Sequence, residues 1–308
     1  MCTHELAEQA MAMTRVDHSA TLEVVLDLHC EVGEGPIWDS ATSTLLFVES
    51  FGGTIYRFDP VTKQLHSVKV GQEVGVAIPR HRGGIVVSCR DGLLAVDQAS
   101  GVIELLVSVE TDKPGNRMND AKCDSRGRLW TGTFSTVFER KAGAIYRIDS
   151  DLRPIHVAGE VNISNGIAWN PQESMMYFVD SSRRGIDVFD YDLEDGTVTN
   201  RRRFADIPRE DGLPDGIAMD LEGCLWVALF FSGSVRRYSP EGKWIGTIHL
   251  PVTSVTSCGF GGDDLRDLYI TTGTHGSKKE DGQIPLNAGA LFRCRPGVAG
   301  MPVHYFAG

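Results

Sequence analysis

One four-strand phrase is written six times along the 308 residues of this chain, and that repetition leaves few folds open. The second strands read TLLFVES (44–50), GIVVSC (84–89), GRLWTGT (127–133), MMYFVDS (175–181), GCLWVAL (223–229) and DLYITTG (267–273). Each is a short β-branched or aromatic run, the composition that suits a pleated, half-buried surface. Third strands open near a glycine, as in GTIYRFD (53–59), GAIYRID (143–149) and GALFRCR (289–295). First strands precede them as EGPIWD, VGVAIP, NDAKCD, NGIAWN, DGIAMD and CGFGGD. A spacing of roughly 45–50 residues belongs to a four-stranded propeller blade. One blade cannot bury both of its faces, so such units stack around an axis. A β-sandwich, the competing all-β arrangement, does not need six copies of one phrase. The predicted fold is an all-β, six-bladed β-propeller of four-stranded blades around a central channel.

Closing such a ring requires one blade sewn from both chain ends. TLEVVLDL (21–28) and PVHYFAG (302–308) are predicted to meet in the sixth blade and remove an exposed edge. Residues 1–20 are polar and pattern-free and are predicted to form a disordered tail, with 21–308 as one domain. The net charge of −11 argues against nucleic-acid or anionic-membrane partners. Arg201, Arg202 and Arg203 read as a solvated strand edge. No apolar stretch is long enough to span a bilayer, and the first residues lack a signal-peptide core. The seven cysteines form no C-x-x-C pair, and Cys89, Cys123, Cys224 and Cys294 fall in strand patterns as small buried residues. A reducing, cytoplasmic setting follows, with a monomer or small homo-oligomer acting on a small molecule.

First strands line the channel of a propeller. Aligned on their glycine or small residue, they place Glu34, Val74, Asn119, Asn165, Asp215 and Cys258 at one level. Four of the six are oxygen donors. Asn-Gly and Asp-Gly also occur as turn pairs, which is the competing explanation. An oxygen-only set suits Ca²⁺, Mg²⁺ or Mn²⁺. Zn²⁺ usually takes nitrogen or sulfur, although carboxylates also bind it, and none of the nine histidines falls at this level. Arg117 lies two residues before Asn119, on the same strand face, and is suited to a ligand carbonyl or hydroxyl; its competing role is a surface salt bridge. Asp120 is expected to face the other way as a packing partner, and His275 to be a solvated loop residue. Nucleophile elbows, phosphate loops and dinucleotide fingerprints are absent from the sequence.

GEGPIW (33–38), GNRMND (115–120), ISNGIAW (163–169), FDYDLEDG (189–196), LPDGIAMD (213–220), GCLWVA (223–228), TSCGFGG (256–262) and the terminal YFAG also carry a resemblance. The chain is similar from about residue 22 onward to the senescence marker protein (regucalcin), gluconolactonase and luciferin-regenerating enzyme family. That resemblance implies a channel with one divalent metal, Ca²⁺ first, with Zn²⁺, Mn²⁺ or Mg²⁺ as alternatives. It implies Glu34, Asn165 and Asp215 as metal ligands, Arg117 and Asn119 at the substrate, and hydrolysis of sugar lactones. In this reading the metal acts as Lewis acid, and Asp215 is the candidate general base or, alternatively, a ligand only. Two other functions remain open: an organophosphate hydrolase of the diisopropyl fluorophosphatase type, and a non-catalytic calcium-binding propeller. GTFSTVFER departs from the animal members, which carry a substrate-reaching glutamate where this chain has Val137, with Glu139 out of register. That edge of the pocket is expected to be more apolar through Val137 or Phe138, favouring smaller or less hydroxylated lactones.

Overall fold

The computed structural model describes residues 15–277 and 282–308. Among the described residues the strands form six sheets: five carry four consecutive antiparallel strands from channel to rim, and the sixth carries three, completed by a strand from the N-terminal side. The inner strands are Gly33–Asp39, Val74–Pro79, Asn116–Cys123, Ser164–Trp169, Leu213–Met219 and Val255–Gly261. Nearly every residue in them is buried, because the neighbouring blades cover both faces. Core side chains such as Trp38, Trp130 and Trp226 fill the space between blades.

The acid or amide that ends the repeated first-strand phrase has a structural purpose. Oδ1 of Asp124 accepts the backbone N–H groups of Arg126 and Arg128 at 3.0 and 3.1 Å. Asp220 does the same for Glu222 and Cys224, and Asn170 for Ser174 and Met175. Each side chain thereby closes the turn into the second strand. In two blades the other oxygen, Oδ2, accepts the indole N–H of the blade's tryptophan, Trp130 or Trp226, at 2.9 Å.

Ring closure follows the prediction at one end only. Glu23–Leu26 pairs antiparallel with Leu291–Cys294 and completes the sixth blade. The terminal PVHYFAG does not join it, because that blade already has its four strands. Instead the tail runs to the second and third blades. There Phe306 N–H donates to Pro79 O and Ala307 N–H to Gly127 O, each at 2.9 Å. Phe306 is fully buried in a cluster with Ile78, Val86, Cys123 and Ile148. At the other end, Val16–Asp17 pairs in parallel with the outer strand Trp244–His249, adding a fifth strand to the fifth blade. Arg15 lies 3.5 Å over the Trp244 ring. The expected tail therefore gives way to structure at residue 15, and residues 1–14 lie outside the described residues.

Among the described residues no helix is long and apolar enough to cross a membrane. Cys89, Cys123, Cys224 and Cys294 are buried free thiols, as are Cys30 and Cys258.

Phe306→Ala tests the docking of the C-terminal tail. Truncating a fully buried phenylalanine costs about 3–5 kcal/mol, so denaturant unfolding should show a loss of that order. A loss below about 1 kcal/mol would mean that the tail is only loosely attached.

Candidate metal and substrate site

Each inner strand departs from regular pairing near its entrance. In the first five blades two residues stand opposite one on the second strand: 35–36, 75–76, 119–120, 165–166 and 215–216. These are β-bulges, which turn side chains out of the regular pleat. Asn119, Asn165 and Asp215 are each the first bulged residue. Glu34 sits one position earlier, paired with Val48, as Val74 is paired with Cys89. Alignment on the following glycine had put all of them on one level, and the true offset is one residue. Cys258 lies farther along its strand, pairs with Ile270, and directs its Sγ to Trp226 O at 3.7 Å. It belongs to the packing.

The Asn-Gly and Asp-Gly pairs are not turns. A Cβ on Gly166 would stand 2.7 Å from Ile217 N, and one on Gly216 would stand 2.0 Å from Ser257 Oγ. The glycines allow neighbouring inner strands to touch, which draws the donors toward a common centre.

Glu34, Arg117, Asn119, Asn165 and Asp215 line one pocket of about 490 Å³ at one end of the channel. Asn119 Nδ2 donates to Ser164 O at 2.7 Å and to Asn165 Oδ1 at 2.9 Å. Asn165 Nδ2 donates to Ser181 Oγ at 2.7 Å, and that hydroxyl donates to Pro214 O at 2.6 Å. This chain fixes both amides and ties the third, fourth and fifth blades together. Arg117 is only 6% exposed, so it is not a surface salt bridge. Its guanidinium lies 4.7 Å over the Phe134 ring, with Nε 3.8 Å from Glu73 Oε2.

Negative charge accumulates on the channel axis. Burial first, and then Asp120, pushes the Glu34 carboxyl up to about 8. Burial, then Glu34 and Asp120, pushes Asp215 well above the carboxylate range. Burial also raises Asp120, against the pull of Lys122. Asp120 therefore belongs to the electrostatics of the site, although the sequence pattern had turned it away. Lys122, which sequence reading missed, donates from Nζ to Ile217 O at 2.9 Å. It also lines a smaller cavity of about 70 Å³, walled in part by Met301, Pro302, Val303 and His304 of the C-terminal segment.

Asp215 Oδ1 is buried and has no hydrogen-bond partner among the described residues. Such an atom is costly unless a cation or donor meets it. Among the described residues no three His, Cys, Asp or Glu side chains form a metal cluster by themselves. Any such site must draw on an asparagine amide as well. The orphaned oxygen, the repelling carboxylates and the hard oxygen donors fit a divalent cation of the Ca²⁺, Mg²⁺ or Mn²⁺ kind.

The upper wall is aromatic: Phe51, Phe134, Phe138, Phe230 and Phe231 all face the pocket, with His275 at the rim. Sequence reading singled out only Phe138 of these phenylalanines and set His275 aside as an ordinary loop residue. Val137 is exposed and does not line the pocket.

A family model described as SMP-30/Gluconolactonase/LRE-like region matches residues 32–274, a span that holds all five of the polar site residues. The chain belongs to this family. It is 35% identical over 297 residues to regucalcin of Oryctolagus cuniculus, covering 94% of this chain and 99% of that protein. Regucalcin of Homo sapiens shows the same identity and coverage. Among solved structures, a luciferin-regenerating enzyme superposes with a TM-score of 0.86 at 32% identity, covering 93% of this chain and 99% of that one. A calcium-binding protein, regucalcin, from Agrobacterium tumefaciens gives a TM-score of 0.88 at 25% identity, covering 96% and 99%.

The charge arrangement makes a prediction about stability. Glu34 titrates at its ordinary 4.5 when unfolded and at about 8 when folded. The metal-free fold thus holds the extra proton between those values and loses stability as pH rises through that window. At pH 8, metal-free Glu34→Gln and Asp215→Asn should melt a few degrees above wild type, and the gap should shrink at pH 5. Added Ca²⁺ should raise the wild-type melting temperature and raise that of the variants much less. Variants that melt below wild type without metal would mark these carboxylates as structural.

Proposed function

We propose that this chain is a divalent-metal-dependent lactone hydrolase. Asp215 carries the reading: its orphaned buried oxygen stands beside Glu34 and Asn165, on the floor of a pocket that also presents Arg117 and Asn119. Pure cation binding would not require a buried arginine there. Family membership supports the same class, since the family's own description names gluconolactonase. A gluconolactonase from Xanthomonas campestris also shares the fold, with a TM-score of 0.72 at 23% identity.

Glu34, Asn165 and Asp215 would hold the ion. When bound, the ion supplies Lewis-acid polarisation of a carbonyl and charge stabilisation for a developing oxyanion. The protein's residues supply the rest. Arg117 cannot swing away, being held between the Phe134 ring and Glu73, and it offers N–H groups to a carbonyl or ring oxygen. Asn119 is fixed by its two hydrogen bonds and orients the ligand beside Asn165. An Asp215 carboxylate oxygen not taken by the ion is the candidate acceptor for the proton of the attacking water, the alternative being that Asp215 is a ligand only. The family resemblance points to aldonolactones, with Ca²⁺ as the first candidate ion.

Hydrolysis of a panel of five- and six-membered lactones, followed with chelator and after metal re-addition, tests the class. Activity should vanish with chelator and return with one of Ca²⁺, Mn²⁺, Zn²⁺ or Mg²⁺. Turnover that survives complete chelation would overturn metal dependence. Hydrolysis of phosphofluoridates but of no lactone would move the chain to the organophosphate class.

Arg117→Ala should lower kcat/KM by about tenfold or more, the loss of one charge-assisted hydrogen bond. Unchanged kcat/KM with a lower melting temperature would leave Arg117 a purely structural role. Asp215→Asn separates base from ligand. Calorimetry that still shows metal binding, with kcat lost, identifies the base, whereas loss of both identifies a ligand.

A further inference from the structure

The wall above the polar floor is built on a plan of its own. Phe51 follows the second strand of the first blade, Thr44–Glu49. Phe134 and Phe138 lie at and beyond the end of Leu129–Ser135 in the third blade, and Phe230 and Phe231 at the end of Leu225–Phe230 in the fifth. Three alternate blades thus each bring phenylalanine to one mouth. Phe51, Phe138 and Phe231 are 40%, 65% and 51% exposed, large apolar surfaces left in water. Phe138 and Phe231 also hold φ at 57° and 69°, a conformation that bulky side chains rarely adopt. Exposed aromatics on strained backbone cost stability, and such strain collects at ligand-binding sites. Gly276 leaves room for Phe231, since a Cβ there would stand 2.4 Å from its ring.

Among the described residues, the same wall offers few free donors to hydroxyl groups. Ser50 Oγ donates to Val74 O, Thr136 Oγ1 to Gly115 O, and Ser181 Oγ to Pro214 O. Glu73 is engaged by Arg90 at 2.6 Å. His275 packs edge-on against Phe51 at 5.7 Å. A polyhydroxylated lactone would leave several hydroxyls facing phenyl rings, at the cost of their hydration. The pocket's volume of about 490 Å³ also exceeds what a small unsubstituted lactone would fill.

We infer that the substrate is a lactone bearing a bulky apolar group, aromatic or long-chain alkyl. Its ring carbonyl meets the polar floor, and its apolar group is held among Phe51, Phe138, Phe230 and Phe231. This rests on the lactonase reading for the reaction but not for the binding preference, and the two are tested apart.

Binding is measured first, with lactams, whose amide resists hydrolysis. A δ-lactam bearing a phenyl group beside the ring nitrogen is compared with the hydroxylated gluconolactam by calorimetry on the metal-loaded protein. The phenyl lactam should bind at least about tenfold more tightly. In Phe138→Ser/Phe231→Ser, with its melting temperature checked, that ratio should collapse toward one. Equal or inverted affinities in wild type, or an unchanged ratio in the variant, would overturn the inference. The matching lactones are then assayed for hydrolysis. Tight binding of the phenyl lactam without turnover of either lactone refutes the lactonase reading and keeps the apolar cage. Efficient gluconolactone turnover with no phenyl preference does the reverse.

Discussion

Six strands converge on one axis, and at Gly35, Gly75, Gly166, Gly216 and Gly259, where neighbouring strands meet, there is no room for a Cβ. The rest of the molecule depends on that crowding. Gly75 faces Asn119 O at a distance a side chain would reduce to 2.1 Å, and Gly259 faces Pro36 O at the same separation. With glycine at the contact, the backbones of neighbouring inner strands lie against each other. The residue just before the glycine, as at Asn165 and Asp215, is then forced out of the pleat into the channel. The Asn-Gly and Asp-Gly pairs are therefore one device with two halves: the glycine closes the ring, and the polar residue uses the space at its centre.

This explains what was legible in the sequence and what was not. The blades were legible because strand runs, glycines and turn-closing acids recur at a fixed spacing, and each has a local physical cause. Glu34, Asn165 and Asp215 were legible because each precedes a glycine. Their exact level was not, since a bulge adds a residue to one strand without a mark in its composition. The same bulge brought Asp120 into the site's electrostatics, against simple alternation. Lys122 was hidden because a lysine in a strand ordinarily signals an exposed face, and here it donates to Ile217 O inside the channel. Phe306 was assigned to the wrong blade because pairing partners of a short terminal strand are set by vacant edges, not by its own residues. The phenylalanine wall was missed for a related reason: it is assembled from three loops far apart in sequence, none of which has a period to read.

Charge in the channel is arranged asymmetrically. Toward the C-terminal segment, Lys122 opposes Asp120. Toward the open mouth, Arg117 lowers the Glu34 carboxyl only as the last of several influences, and among the described residues no cation offsets the charge of Asp215. An uncompensated pair of carboxylates held by strand backbone cannot relax by rotating into solvent. It must either keep a proton or gain a cation from outside. A cation bound there would stabilise the fold in return.

Floor and wall also come from different parts of the chain, and this separation has consequences. The polar floor rises from inner strands, where every residue is constrained by two neighbouring blades. The aromatic wall hangs from the ends of second strands and the loops after them, where Phe138 leans on Phe134 and Phe231 packs on Phe230 at 4.3 Å between ring centres. A substitution on the floor disturbs both ring closure and charge. A substitution at Phe51, Phe138 or Phe231 changes chiefly what fits above the floor, whereas Phe134 also supports Arg117. Floor and outer wall accordingly draw on different residues, and Val137, pointing to solvent beside Phe138, shows how narrow the boundary is. One step along that loop separates a side chain that shapes the pocket from one that does not. Relatives at 35% identity can therefore share the floor and still differ in the wall.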